Sequence, residues 1–216
     1  MSSSGTTGSV GCVDHLVMTC ADLDSGIREL ENLTGITASG GGRHPAWGSH
    51  NALIGLGPRT YLEVIASDPG STVPADRRPE VFTSPGPGFL NGWVAVCEDI
   101  PGARARALQC GMELGGPIEG RRERADGTVL EWVLTDPSVR HLDGLVPILI
   151  DWGDSPHPAS SAPSGCELLA LELRHPDPGP LVEVLTAIGL SVPVVKAPVP
   201  GLRAILDTPR GVIELD

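Results

Sequence analysis

The stretch VDHLVMTCADLDSGIRELENLTGI, residues 13–36, decides the fold because it contains a strand, a turn and a helix in that order. Its first residues alternate between two faces, as in a half-buried strand. An aspartate-rich segment then begins a helix, on which Leu23, Ile27 and Leu30 share one face. Gly35 is a typical stop residue. The stretch therefore predicts a strand followed by an amphipathic helix.

The same order returns at residues 91–112 and again at residues 168–190. In the second copy Asp99 is the expected N-cap, with Pro101 in the first turn. The predicted stop glycines Gly35, Gly111 and Gly189 lie 76 and 78 residues apart. Short strand candidates follow each helix. A recurring period of this length indicates a repeated β-α-β-β-β unit.

The repeat divides the chain into three units that we expect to pack as one α+β domain. The first unit covers residues 11–68, the second 89–154 and the shorter third 166–216. Residues 69–88 and 155–165 are rich in Pro, Ser and Gly and are predicted to be linkers, and residues 1–10 are predicted to be disordered. One helix covers only one face of its sheet, so two units are expected to turn their open faces toward each other around a small-molecule cavity.

Charge and composition exclude several classes of function. The chain of 216 residues has a formal net charge of −12, which opposes binding to nucleic acid or to an anionic membrane. Its five cysteines have no metal-binding or disulfide-framework spacing and are expected to be reduced. The first ten residues lack the features of a signal peptide, and no apolar run is long enough to span a bilayer. A cytoplasmic location is therefore predicted.

Strand alternation selects the first candidate site residues. His15 shares a face with Val17, whereas Asp14, Leu16 and Met18 share the other face, which suits packing beneath the helix. His15 is therefore expected to point into the cavity. By the same reasoning Tyr61 and Glu63 of TYLEVIA share one face, so Glu63 is expected to join His15 there.

The segment GRHPAWGSHNAL, residues 42–53, supplies further ligand-binding candidates. Arg43 offers a planar fork that matches two oxygens of an anion, and Trp47 offers an aromatic wall. We predict that this segment forms the rim and wall of the site. The predicted substrate-binding residues are Arg43, His44, Trp47, His50, Asn51 and Tyr61.

The residues above resemble those of the vicinal oxygen chelate superfamily, and within it the glyoxalase-like domain proteins. The resemblance rests on VDHLV, GGRHPAWGSHNAL and YLEVIA, and more loosely on ILIDWG and GLRAILDTPRGVIEL in the later units. It covers nearly the whole chain after residue 10. It implies paired β-α-β-β-β modules with cupped mixed sheets, the glyoxalase/bleomycin resistance-like fold, often around a divalent metal.

The resemblance also implies a ligand set for such a metal, which could be Fe, Zn, Mn or Ni. It matches His15 and Glu63 to ligand positions, and His50 would complete a triad if it faced inward with Ala52 and Ile54. In the second unit, however, the repeat places Gly92 at the position of His15, and glycine has no side chain to coordinate a metal. The remaining carboxylate candidates are Glu131 and Asp151 in the second unit and Glu214 in the third.

The sequence is compatible with three functions, of which the first two are favoured. The first is metal-dependent lyase, isomerase or dioxygenase chemistry on a small oxygenated compound, with Glu63 and His15 as catalytic residues. The second is metal-free binding or sequestration of a hydrophobic metabolite, which Gly92 favours. The third is assembly with a partner chain through the cup. The sequence is compatible with a monomer and with a homodimer.

Overall fold

Each of the three units has the predicted order of one strand, one helix and three further strands. The computed structural model describes residues 10–82, 89–123 and 127–216. The segment 1–9, most of the predicted disordered N-terminus, and part of the first predicted linker, 83–88, lie outside these ranges. The elements of the first unit are β1 (Val13–Thr19), α1 (Leu23–Thr34), β2 (Arg43–His44), β3 (Ser49–Gly57) and β4 (Thr60–Ser67). Those of the second are β5 (Phe89–Val96), α2 (Ile100–Gln109), β6 (Pro117–Glu123), β7 (Val129–Thr135) and β8 (Ile148–Asp151). Those of the third are β9 (Glu167–His175), α3 (Pro178–Ala187), β10 (Val194–Lys196), β11 (Gly201–Thr208) and β12 (Gly211–Leu215).

The helix ends follow the capping residues. The side chain of Asp99 accepts a hydrogen bond from the backbone N–H of Gly102 at 2.9 Å, as expected of an N-cap. Gly35, Gly111 and Gly189 have φ values of 80°, 76° and 84°, which residues with a side chain rarely adopt. The predicted stop residues are therefore confirmed as left-handed glycines at or next to the helix ends.

The first two units form one eight-stranded sheet with the strand order β2-β3-β4-β1-β5-β8-β7-β6. Strand β1 pairs with β4 in parallel and with β5 in antiparallel orientation, and β5 pairs with β8 in parallel. The units thus lie side by side, joined through their first strands, rather than as two separate sheets turned face to face. The α+β class and the glyoxalase-like architecture are confirmed.

The sheet curls until its two edges come close together. Arg122 on the edge strand β6 donates a hydrogen bond to the side-chain oxygen of Asn51 on β3, with an Nη1–Oδ1 distance of 3.3 Å. The convex face carries Leu16, Leu62 and Trp93, which belong to the core that packs against the helices. A separate apolar cluster lines the concave face, and it includes Val17, Ile65, Val94, Leu130 and Ile150.

The third unit forms its own four-stranded sheet with the order β10-β9-β11-β12. Its strand order differs from that of the first two units, because β10 and β11 lie on opposite sides of β9. Its apolar residues, such as Leu173 and Leu181, join the same core as the convex face of the large sheet. The third unit therefore packs on the outside of the curled sheet.

The segment 155–165, predicted to be a linker, packs partly into the protein. His157 is only 7% exposed, and residues 158–160 form a short helical turn. This turn lies against β3 and β4. Within the described ranges, no helix combines the length and the apolar character that crossing a bilayer requires.

Candidate functional site

The concave face of the large sheet encloses a small cavity of about 60 Å³. Its polar lining consists of His15, His44, Asn51, Tyr61, Glu63 and Arg122. Its aromatic lining consists of Trp47, Phe82, Trp132 and Trp152. Six polar side chains inside a largely aromatic and aliphatic wall are the arrangement expected of a ligand site.

The two central residues of the prediction lie together in this cavity. The parallel register of β1 and β4 places His15 beside Tyr61 and Val17 beside Glu63. The Nε2 atom of His15 lies 3.8 Å from the Oε2 atom of Glu63. Both residues are buried, with 7% and 6% of their surface exposed. A single ligand atom could therefore contact both groups.

Asp14 also turns toward the site, although strand alternation predicts it on the helix side. The pairing of β1 with β5 shifts register between Val13 and His15, and such a bulge re-aims the side chain of the extra residue. The Oδ1 atom of Asp14 lies 2.7 Å from the Nδ1 atom of His15. Burial opposes ionisation of Asp14, but hydrogen bonds and charge from His15 and His157 outweigh it and lower its pKa to about 2.

Asn51 connects Glu63 with the opposite edge of the sheet. Its amide nitrogen donates to Oε1 of Glu63, and its Oδ1 accepts from the backbone N–H of Gly42 and from Arg122. A Cβ atom on Gly41 would lie 1.8 Å from the backbone oxygen of Asn51. Glycine at position 41 thus allows the close approach of two backbone segments.

Burial favours the neutral forms of two further cavity residues and shifts the pKa of each accordingly. Desolvation, together with the charges of Asp14 and Glu63, raises the pKa of Tyr61 well above its usual value. Desolvation lowers the pKa of His44, which also forms a hydrogen bond between Nδ1 and the hydroxyl of Ser49 at 3.1 Å.

Aromatic side chains close the cavity from two directions. Trp47 packs against Phe82 with ring centroids 5.5 Å apart, and Trp132 packs against Trp152 at 5.3 Å. Trp132 lies directly over Gly120 of the neighbouring strand, where an added Cβ would come within 2.2 Å of the indole. These walls reduce the access of water to the polar groups.

Two predicted ligand-binding residues do not line the cavity. Arg43 is exposed and lies 3.5 Å from the carboxylate of Asp68, so the anion clamp expected of it is not formed there. His50 lies on the face of β3 that carries Ala52 and Ile54, and those two residues belong to the core on the convex side. Asn51 takes the inward position instead. The proposed triad of His15, His50 and Glu63 is therefore not brought together.

The side chains present do not fit a resident metal ion. Across the described ranges, no three His, Cys, Asp or Glu side chains converge as a metal site. The pairing of β5 with β8 in the second unit corresponds to that of β1 with β4 in the first. Val94 pairs with Ile148 as Val17 pairs with Glu63, so Ile148 takes the position of Glu63. By the same correspondence Gly92 takes the position of His15. The second unit therefore supplies no donor at either position.

The other carboxylate candidates point elsewhere. Glu131 is exposed and lies 3.8 Å from Arg121, and Asp151 accepts a hydrogen bond from the backbone N–H of Gly153. Glu214 pairs with Arg203 on the sheet of the third unit. None of these carboxylates belongs to the cavity lining.

Sequence reasoning missed three polar groups that surround His15 and Glu63. Asp14 would have required recognition of the bulge, for which the sequence of β1 offers no clear signal. Arg122 lies on an edge strand, and only closure of the sheet brings it to Asn51. His157 lies near the start of the Pro- and Ser-rich segment 155–165, and its proximity to Asp14 depends on the tertiary fold.

Comparison with family models identifies the domain. The model of the glyoxalase-like domain matches residues 13–189, most of the chain. This chain belongs to the glyoxalase-like domain family. That family is part of the vicinal oxygen chelate superfamily, so the resemblance found in the sequence is confirmed. A search of curated proteins found none that matches this member of the family.

A search of solved structures found similar chains at low sequence identity. A hypothetical protein from Staphylococcus aureus is 12% identical, with a TM-score of 0.61, and the match covers 94% of this chain and 98% of that one. Methylmalonyl-CoA epimerase from Mycobacterium tuberculosis is 17% identical over 71% of this chain and 93% of its own, with a TM-score of 0.44. A glyoxalase I variant from Zea mays is 14% identical over 94% of this chain and 92% of its own, with a TM-score of 0.26. The first of these likenesses extends over all three units and shows the fold alone.

Proposed function

We propose that this glyoxalase-like protein catalyses proton transfer on a small oxygenated compound, as an isomerase or lyase, with His15 and Glu63 as the acid/base pair. The observation that carries the proposal is the 3.8 Å approach of His15 Nε2 to Glu63 Oε2 inside a buried cavity. General acid/base groups must reach the same reacting atoms, and this distance allows one ligand to contact both.

The size of the cavity limits the ligand. A cavity of about 60 Å³ suits a small ligand, and we take compounds of three or four carbon atoms as the candidates. Arg122 is the one Arg or Lys side chain in the described lining, and its guanidinium suits a carboxylate or a developing enolate oxygen. The aromatic walls favour a ligand with little further polar surface.

The proposed reaction begins at a carbon next to a carbonyl. The carboxylate of Glu63 accepts the proton, the electrons of the C–H bond move to the carbonyl oxygen, and Arg122 offsets the charge of the resulting enolate. His15 Nε2 is placed to receive that proton from Glu63 and to return one to the ligand. These steps require only the side chains of Glu63, His15 and Arg122 and no metal ion.

Exchange of carbon-bound hydrogen in D₂O tests this function. Pyruvate, hydroxyacetone and methylglyoxal are incubated with the protein, and loss of the C–H signal is followed by NMR. We expect faster exchange than in buffer for at least one of these probes. We expect Glu63→Gln and His15→Asn to remove the acceleration, whereas Arg43→Ala, outside the cavity, retains it. Buffer-level exchange of every probe with the wild-type protein would contradict the proposal.

A metal-free binding protein is the second candidate function. Gly92 and Ile148 favour it, because the second unit contributes no catalytic side chain at the positions related to His15 and Glu63. Saturable NMR shift changes of cavity residues without deuterium incorporation would support binding over catalysis.

A further inference from the structure

Asp14 is a buried acceptor with three hydrogen-bond donors around it. It is 1% exposed. Its Oδ1 atom faces His15 Nδ1 at 2.7 Å, and its Oδ2 atom faces Trp152 Nε1 at 2.9 Å and His157 Nε2 at 3.1 Å. An indole N–H can only donate, so Oδ2 acts as an acceptor. Trp152 and His157 take no part in the proposed proton transfer.

The hydrogen-bond directions around His157 follow from its backbone partner. The N–H of Ala159 donates to His157 Nδ1 at 3.2 Å, so Nδ1 carries no proton. The ring proton of His157 is then on Nε2, where it faces Asp14. The N–H groups of Trp152 and His157 lie against Oδ2 of Asp14, and Oδ1 faces His15 Nδ1 at 2.7 Å. A carboxylate oxygen at this distance accepts a hydrogen bond, so the ring proton of His15 lies on Nδ1. That leaves the lone pair of His15 Nε2 directed at the cavity.

We propose that Trp152 and His157 are positioning residues that hold Asp14 so that His15 stays in the Nδ1–H tautomer with Nε2 open to the ligand. Both lie in or next to the connection between the second and third units, far from β1 in sequence. The fixed tautomer does not depend on the chemistry of the site. Its effect on the reaction rests on the proposed function.

The three donors have separate roles. His15 is the group being oriented, whereas Trp152 and His157 occupy the other oxygen of the carboxylate and prevent it from rotating. Hydrogen-bond partners of metal-bound histidines change activity by about 10- to 100-fold when lost, and we expect an effect at the lower end of that range for this metal-free histidine. Loss of the His157 donor should therefore affect His15 without removing any group that contacts the ligand.

Nitrogen-15 NMR of the full chain with labelled histidine tests the tautomer directly and needs no ligand. The His15 signals are assigned by their loss in His15→Asn. We expect the Nδ1–H pattern for His15 and the Nε2–H pattern for His157. In Asp14→Asn the amide can donate to Nδ1, so we expect the His15 pattern to change to Nε2–H. An Nε2–H pattern for wild-type His15 would overturn the proposal.

A matched pair of variants tests the role of His157 even if Asp14→Asn does not fold. His157→Phe keeps a ring but removes the donor, and His157→Gln keeps an N–H near the position of Nε2. We expect a mixed tautomer pattern at His15 in the first and the wild-type pattern in the second. His175→Phe, in the third unit, should leave His15 unchanged. A wild-type His15 pattern in His157→Phe would show that His157 has no positioning role.

The exchange reaction separates this proposal from the proposed function. If both hold, exchange slows by about tenfold in His157→Phe and recovers in His157→Gln. If exchange is absent in the wild-type protein but the tautomer patterns respond as expected, only the proposed function fails.

Discussion

The imidazole of His15 stacks on the phenol ring of Tyr61, with ring centroids 4.4 Å apart and planes 16° from parallel. The two residues are neighbours in the parallel register of β1 and β4, so the sheet itself sets the stack. The stack covers one face of the imidazole with an apolar ring. This contact restricts the orientation of His15 in addition to its hydrogen bond with Asp14.

Tyr61 should remain protonated as long as the protein is folded. Its pKa lies well above the usual value of 10. The unfolded chain therefore releases the phenol proton first, and the stability linked to this group is lost as the pH rises above 10. Because Tyr61 is the single tyrosine of the chain, tyrosinate absorbance reports it alone. We expect this absorbance to appear only with unfolding, and its appearance in the folded protein near pH 10 would contradict the prediction.

Asp14 should make the protein sensitive to acid. Its pKa falls from 3.8 to about 2, so the ionised form contributes about 2 kcal/mol above pH 3.8, and this contribution is lost as the pH falls through 2. Asp14→Asn should lower the free energy of unfolding at neutral pH by about 2 kcal/mol, because it replaces the charged acceptor of three buried hydrogen bonds with a neutral amide. Urea denaturation measures both effects. Asp154→Asn, at an exposed position, is the control, and an equal loss in both variants would contradict the prediction.

Gly41 should be intolerant of a side chain. A Cβ atom there would meet the backbone oxygen of Asn51 at 1.8 Å, and backbone cannot yield as a flexible side chain does. We expect Gly41→Ala to destabilise the fold by about 2 kcal/mol. Gly116→Ala is the matched control, because nothing lies within 4 Å of its added Cβ. Equal melting temperatures for the two variants would show that the approach of Gly41 to Asn51 is not tight.

The cavity should not hold a bound divalent metal ion. Among the residues that the structure describes, no three potential metal donors converge there, and Arg122 adds positive charge to the same lining. After purification without chelators, titration with Fe(II), Zn(II), Mn(II) or Ni(II) should give no saturable rise in melting temperature. Stoichiometric bound metal that disappears in His15→Ala and Glu63→Gln would contradict this prediction.

The parts of the site that follow from local periodicity could be predicted from the sequence. The alternation of β1 and β4 predicts the inward direction of His15 and Glu63, and the structure places both side chains in the cavity. The capping residues and stop glycines likewise predict the helix ends. These features depend on the residues within one element, so the sequence alone contains the necessary information.

The parts that depend on pairing between distant segments could not be predicted. The bulge at Asp14 arises from the register of β1 against β5, and the position of Arg122 arises from closure of the sheet. The inward residue of β3 is Asn51 rather than His50. Alternation within a strand leaves two choices of inward face, and only the pairing with neighbouring strands decides between them. Only the tertiary structure settles each of these.

A double-mutant cycle on the exchange reaction tests the central claim most directly. Exchange rates are measured for the wild-type protein, His15→Asn, Glu63→Gln and the double variant, with the probe that exchanges fastest. If His15 and Glu63 act on the same proton, each single variant loses most of the acceleration and the double variant loses little more. Two losses that multiply in the double variant would show that the residues act independently and would contradict the account.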